Sequence, residues 1–171
     1  MNIMVEHEDK CLPTQTPLID TWTLWAHLPH DTNWDFNSYH EITDIKTIED
    51  ALTIYENIPE IVIKNCMLFL MRKGIQPIWE DEKNRNGGCF SYKINNKNIY
   101  NCWKNLSYVL LGETLTDSDI SKYLNGITVS PKKNFCIFKI WLNTCKFNNP
   151  DIIKDIEGLT KQGCIFKKHI Q

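Results

Sequence analysis

The spacing of apolar residues changes period several times along the chain, and each change predicts an element. Residues 21–28 alternate and carry Trp22, Leu24, Trp25 and Ala26, which reads as a strand. A polar loop from Pro29 to Asn37 follows, with Trp34 in its middle, and Ser38–Ile45 reads as a second strand. Thr47 then caps a helix, because its hydroxyl can accept from the first free N–H groups and Asp50 stands at the capping-box position. Ile48, Ala51, Leu52, Tyr55 and Ile58 recur at helical spacing until Pro59 stops them. Cys66–Met71 is a short apolar strand. Gly74 and Pro77 bracket a turn that leads to Trp79, and Asn86-Gly87-Gly88 turns into a strand at Cys89–Ile94. After a turn at residues 95–98, Ile99, Trp103, Leu106 and Leu110 form one helical stripe with Gly112 as its C-cap. Residues 118–124 read as a short helix, and 127–130 and 135–142 as a strand pair. Pro150 opens a helix that ends at Gly158, and Cys164–Lys168 is a last strand. Helices follow runs of strands here, which favours an α+β fold with a mainly antiparallel sheet. Residues 1–17 are polar, contain Pro13 and Pro17 and lack periodicity. They read as a flexible N-terminal tail ahead of a single domain at 18–171.

The 171 residues suit one domain with its own core. A hydrophobic share of 42% and a charged share of 23% exclude a disordered or collagen-like chain. No run reaches the ~18 apolar residues of a membrane span, and the acidic N-terminus does not resemble a signal peptide. A net charge of −2 argues against wrapping duplex nucleic acid. That average hides an asymmetry. Residues 1–131 carry 11 basic and 18 acidic side chains, whereas residues 132–171 carry 8 basic and 3 acidic. One end can therefore supply a local anion site. The seven cysteines are odd in number and include no C-x-x-C pair, so they read as free thiols in a reducing cytosol, with no metal and no cofactor.

Six tryptophans concentrate the candidate chemistry. Trp22, Trp25 and Trp103 fall on the stripes of elements and suit core packing. Trp34 and Trp79 lie in polar, turn-rich segments, where an aromatic ring is either half-buried over the core or offered to a ligand. Trp79 is followed by Glu80, a carboxylate that accepts hydrogen bonds and donates none. Guanine presents N1–H and N2–H₂ along one edge, a pair of donors that a carboxylate fits. Alkylation at N7 makes the base cationic, which adds cation–π attraction to the stack and charge to the carboxylate contact. The plain alternative for Glu80, Asp81 and Glu82 is a solvated acidic turn.

The stretch Gly74-Ile75-Gln76-Pro77-Ile78-Trp79-Glu80-Asp81-Glu82-Lys83-Asn84, followed by Gly87-Gly88, closely resembles the signature of the translation initiation factor 4E family, which binds the mRNA 5′ cap. Trp22-Thr23-Leu24-Trp25, Thr47-Ile48-Glu49-Asp50, Leu111-Gly112-Glu113, Asn125-Gly126 and Ile140-Trp141 fall where that family has similar segments. The resemblance implies a curved antiparallel sheet with about three helices on its convex face and a cap slot in its concave face. It implies that Trp34 and Trp79 sandwich 7-methylguanine, that Glu80 takes the N1 and N2 protons, and that Trp141 touches the N7-methyl group. Lys132, with Lys133 beside it, matches the phosphate-binding loop. The implied protein is a cytoplasmic monomer that recruits capped mRNA and docks a helical peptide of a scaffold initiation factor, with no membrane partner.

Three departures qualify the resemblance. The family arginine soon after the Gly-Gly is Cys89, and a family lysine is Ile137, with Asn134 a neutral substitute at best; phosphate binding is then weaker or differently built. On the partner surface Pro17 and Ile48 fit the pattern, but its tryptophan is Leu52 and two of its leucines are Lys104 and Tyr108. These changes point to a dedicated partner, and they keep open a cap-sequestering decoy or repressor. Third, Gln171 follows soon after the last strand, so the loop that closes over the distal phosphates is expected to be missing. A capped-RNA processing enzyme fits less well. Phosphoanhydride hydrolysis wants clustered carboxylates for metals, and consecutive Glu80, Asp81 and Glu82 cannot all face one site.

Overall fold

A computed structural model describes residues 15–170. Seven strands form one sheet: β1 (Pro17–His27), β2 (Tyr39–Thr47), β3 (Met67–Arg72), β4 (Gly88–Asn95), β5 (Leu124–Pro131), β6 (Phe135–Leu142) and β7 (Ile165–Lys168). Their spatial order is β2-β1-β3-β5-β6-β4-β7, and every neighbouring pair is antiparallel. Among the described residues, four helices accompany them: α1 (Ile48–Asn57), α2 (Glu60–Asn65), α3 (Ile99–Leu111) and α4 (Ser118–Ser121). This is the expected α+β architecture, a curved antiparallel sheet with a few helices.

The two-residue period of the strands sorts their side chains to opposite faces. Trp22, Leu24, Leu68, Leu70, Phe90, Tyr92, Phe138 and Ile140 face α1 and α3 and build the main core with Tyr55, Trp103, Leu106 and Leu110. Trp25, Phe69, Met71 and Trp141, one step out of phase, form a smaller cluster with Ile75 on the face the helices leave open. Trp22, Trp25 and Trp103 are all buried, as their stripes required, but Trp25 belongs to the opposite face from the other two.

Local chemistry explains the agreements and the differences. The capping box at Thr47 is complete: its hydroxyl accepts from the Asp50 N–H at 3.1 Å, and the Asp50 carboxylate accepts from the Thr47 N–H at 3.0 Å. These backbone donors, that of Lys46 foremost, hold the Asp50 carboxyl below its usual range. Pro59 ends α1 and also serves as the N-cap of α2. The six residues of α2 bury only Ile63, too little periodicity to announce a helix in the sequence. The helix expected at 150–158 is a single 3₁₀ turn, Pro150–Ile152. Gly158 adopts φ +85° in a tight turn that bridges Ile156 and Leu159. The short helix after Ser118 ends at Ser121 rather than Leu124. The expected N-terminal tail lies outside the described residues up to Thr14. Its last residues are structured: Thr16 accepts from the Ile48 N–H at 2.9 Å, and Pro17 opens β1 opposite Thr47.

The C-terminus of α3 departs from the glycine rule. Gly112 has an ordinary φ of −79°, and Glu113 takes the left-handed position at φ +55°. The Glu113 carboxylate is committed to Arg72 through two bonds of 2.6 and 2.8 Å. Arg72 also donates to the carbonyls of Leu124 at 2.7 Å and Ser121 at 3.0 Å, and to Asp20 at 2.8 Å, while its guanidinium lies over the Trp22 ring. One arginine thus ties β1, β3, α4 and β5 to the end of α3. Replacing Arg72 by Met strands a mostly buried carboxylate and should cost about 3 kcal/mol in urea unfolding. The double change Arg72→Met/Glu113→Gln should recover part of that loss; equal stability of Arg72→Met and wild type would contradict the clamp.

Candidate functional site

On the open face, a cavity of about 260 Å³ is lined by Trp34, Tyr39, Met67, Phe69, Pro77, Ile78, Trp79, Glu80, Lys139 and Trp141. Trp34 and Trp79, from two separate loops, remain 57% and 51% exposed, so neither is consumed by core packing. Trp141 is buried at the floor, where its Nε1–H donates to the Thr128 hydroxyl at 2.8 Å. The structure therefore brings together Trp34, the adjacent pair Trp79 and Glu80, and Trp141, from three stretches far apart in the sequence.

Each wall is held by its own loop. The Trp34 ring stacks on the His27 imidazole with centroids 4.3 Å apart and planes 1° from parallel. His27 is buried at the end of β1, and its Nε2–H donates to the Asn33 carbonyl at 2.8 Å, which fixes the loop next to Trp34. One face of Trp34 is covered and the other is left to the cavity. The Trp79 loop is organised by Asn84, which is fully buried. Its side-chain NH₂ donates to the carbonyls of Gln76 at 2.9 Å and Ile78 at 2.8 Å, and its Oδ1 accepts from Asn125 at 2.8 Å. The Asn84 carbonyl accepts from His169 Nδ1 at 2.7 Å, and the His169 ring lies 4.8 Å from that of Trp141. Burial lowers the His169 pKa, and Lys139 acts in the same direction.

The acidic run divides its labour. Asp81 accepts from the backbone N–H groups of Gln76 at 3.0 Å and Lys83 at 2.8 Å and so closes the turn. Glu82 is solvated. Glu80 alone of the three lines the cavity, and it joins burial in raising the Tyr39 phenol above its usual range. Gly87 and Gly88 follow from close approach rather than unusual torsion. A Cβ on Gly87 would overlap the Leu142 carbonyl of β6, and one on Gly88 would stand 2.6 Å from the Lys167 carbonyl of β7.

The cations lie around the slot and beyond it. Lys132 and Lys133 sit in the hairpin between β5 and β6, outside this cavity. Lys139 lines it and also borders a second depression with Trp79, Cys89, Trp141, Lys167, Lys168 and His169. Cys89 pairs with Trp141 on one side and Lys167 on the other. Its thiol is raised by burial, against the pull of Lys139 and Lys167. The charge absent at Cys89 is therefore present on the adjoining strands. Lys139 was visible in principle, because it shares strand parity with Trp141. Likewise His27 shares the parity of Trp25.

On the helical side, a mostly apolar groove of about 280 Å³ is lined by Leu18, Ile48, Ala51, Leu52, Tyr108, Leu111 and Gly112. Ile48, Leu52 and Tyr108 meet there as expected. Pro17 and Lys104 do not line it: Pro17 belongs to the exposed start of β1, and Lys104 lies beside the groove with its Nζ 5.7 Å from the Tyr108 ring centroid.

The family model for eukaryotic initiation factor 4E matches residues 17–170. The chain belongs to the eukaryotic initiation factor 4E family. It is 35% identical over 140 residues to the translation initiation factor 4E homolog of Acanthamoeba polyphaga mimivirus, covering 68% of this chain and 51% of that protein. It is 29% identical over 160 residues to factor 4E of Saccharomyces cerevisiae, covering 89% and 69%. The chain thus spans about half the length of the mimivirus relative and 58% of factor 4E-2 of Schizosaccharomyces pombe. Among solved structures, the fold is similar to Caenorhabditis elegans eIF4E-3 in complex with the 4E-binding protein Mextli and a cap analog, with TM-score 0.69, 24% identity and coverage of 77% and 76%. It is also similar to a schistosome eIF4E complexed with m7GpppG and 4E-BP, with TM-score 0.70, 21% identity and coverage of 77% and 74%.

His27 is the support of one wall, so removing its ring should free Trp34. In the ligand-free protein, His27→Ala should raise acrylamide quenching of the Trp34 fluorescence, assigned by difference from Trp34→Phe, and His27→Phe should not. Unchanged quenching in His27→Ala would contradict this support.

Proposed function

We propose that the slot binds the 7-methylguanosine 5′ cap of mRNA and that the chain, as a single domain over residues 18–171, recruits mRNA for translation initiation in the cytoplasm. The observation that carries this reading is the convergence of two half-exposed indoles and one carboxylate on a single cavity. The base enters between Trp34 and Trp79, where its fixed positive charge attracts both π-faces. Glu80 accepts from N1–H and N2–H₂, a charge-assisted pair of hydrogen bonds. Trp141 forms the floor against the N7-methyl group. The phosphates leave past Lys139 and Lys167, which take the place of a cation at Cys89; Lys132 and Lys133 stand further along. The cap analog and m7GpppG in the two similar structures support this reading.

The apolar groove fits a helical peptide of a scaffold factor, laid against Ile48, Leu52 and Tyr108. Mextli and 4E-BP in the similar structures support a protein partner of this kind. Leu52 offers no indole N–H to a peptide backbone, and Lys104 places a charge at the rim. A dedicated partner with an acidic residue facing Lys104 is the better match.

Two results should follow. In fluorescence titration the protein should prefer methylated to unmethylated cap analogues, and Trp79→Ala should weaken binding about tenfold or more, given roughly 1–3 kcal/mol per stacked base. Glu80→Gln should do the same, since an amide must point a donor at a donor. Equal binding of the two analogues would overturn the slot assignment. In calorimetry, a standard scaffold peptide of the Tyr-x-x-x-x-Leu-apolar type should bind weakly. Placing an acidic residue opposite Lys104 should strengthen it, and Lys104→Ala should abolish that gain. Tight binding of the unmodified peptide would contradict the dedicated partner.

A further inference from the structure

A further depression on the open face is larger than the slot. It has a volume of about 500 Å³, shares Lys139 with the slot and runs along β6 away from Trp141. Lys93, Lys132, Lys139 and Lys167 line it, with Ser91 and Phe135 among the others, and no carboxylate does. Among the described residues, no ion pair engages any of these four lysines. Like charges left unpaired along one trough raise its potential and favour an anion that neutralises several of them at once.

Strand register gives the trough a direction. Trp141 lies opposite Cys89, Lys139 opposite Ser91, and Ile137 opposite Lys93. Each step of two residues advances about 6.6 Å. Lys139 is thus one step from the slot floor, and Lys93 is two steps away at roughly 13 Å. Phe135 comes a further step along. The Lys93 Nζ lies 4.4 Å from the centroid of the Phe135 ring, so a cation and an aromatic ring stand together at the far end. Alternating cations and an aromatic platform are what a single-stranded nucleic acid uses: phosphate on lysine, base on ring.

We infer that this trough holds the ribose–phosphate backbone of the mRNA nucleotides that follow the cap, with Lys93 and Phe135 as its distal contacts. The inference rests on the cap reading of the slot and extends it, because Lys93 and Phe135 carry the trough beyond Lys139 and Lys167, the lysines already given to the phosphates. It gives the basic C-terminal third a task beyond the cap and makes this chain sensitive to transcript length as well as to the methyl group.

The test compares m7GpppG with a capped pentanucleotide and the same pentanucleotide uncapped, each titrated over a salt series against wild type, Lys93→Ala and Phe135→Ala. Lys93 is exposed, so its replacement leaves the fold intact. The capped pentanucleotide should bind several-fold tighter than m7GpppG at low salt, with a slope of log K against log salt steeper by about 0.7 for each added phosphate contact. Lys93→Ala should remove about 0.7 from that slope and leave m7GpppG binding unchanged. Phe135→Ala should weaken the pentanucleotide alone. Equal affinity and slope for both capped ligands in wild type would overturn the inference, as would a Lys93→Ala effect of equal size on both. If neither capped ligand outbinds the uncapped RNA, the cap reading fails instead. The trough then stands or falls on whether Lys93→Ala weakens the uncapped pentanucleotide. Displacement of that RNA by a poly-glutamate peptide at equal charge concentration would assign the trough to an acidic protein segment and also overturn the inference.

Discussion

Side chains on a strand alternate between two faces, and every feature of this molecule depends on which face each strand residue received. Residues of one parity, Trp22, Leu24, Phe90 and Phe138 among them, are drawn under α1 and α3 by burial of apolar surface, the dominant driving force of the fold. The opposite parity is thereby committed to the open face. Trp141 then forms the slot floor with Trp25 in the cluster behind it, His27 a support and Lys139 a cation, because each lies an even number of residues from another of that set on its own strand. A register slip of one residue would invert both assignments, so core packing also protects the site.

The site is built by fixing its loops rather than its walls. Trp34 and Trp79 are half-exposed and gain little from burial, so their positions come from what lies behind them. The ring of His27 carries one, and the buried amide of Asn84 carries the other through two carbonyls of its own loop. Asn84 reaches further, since Asn125 from β5 and His169 after β7 bind it as well. Hydrogen bonds therefore join the Trp79 loop to β5 and to the segment after β7, and the His169 ring rests 4.8 Å from that of Trp141 at the floor. Such pre-arrangement lowers the ordering cost of binding a flat ligand.

Much of this was readable from the chain, for identifiable reasons. The Thr47 capping box is a local motif whose two bonds involve near neighbours, and it formed as expected. Trp34 and Trp79 were conspicuous because large aromatics in polar loops have no core to enter. Long-range register was the limit. Lys139 shares the parity of Trp141, yet nothing in the sequence places β7 beside Cys89 so that Lys167 and Lys139 flank it. The apolar spacing at Ile153, Ile156 and Leu159 imitates a helix turn, but these residues anchor an irregular segment closed by the left-handed Gly158. Glu113, not Gly112, carries the positive φ because Arg72, distant in sequence, grips its carboxylate.

The proposed recognition is geometric: one base between two indoles, read by one carboxylate, with its phosphates leaving toward lysines on the strands that flank Cys89. A crystal structure with m7GpppG tests it most directly. The methylated base should lie between Trp34 and Trp79, with the Glu80 carboxylate on its N1 and N2 edge and the triphosphate within reach of Lys139 and Lys167. A base stacked elsewhere, or phosphates directed away from these lysines, would contradict it.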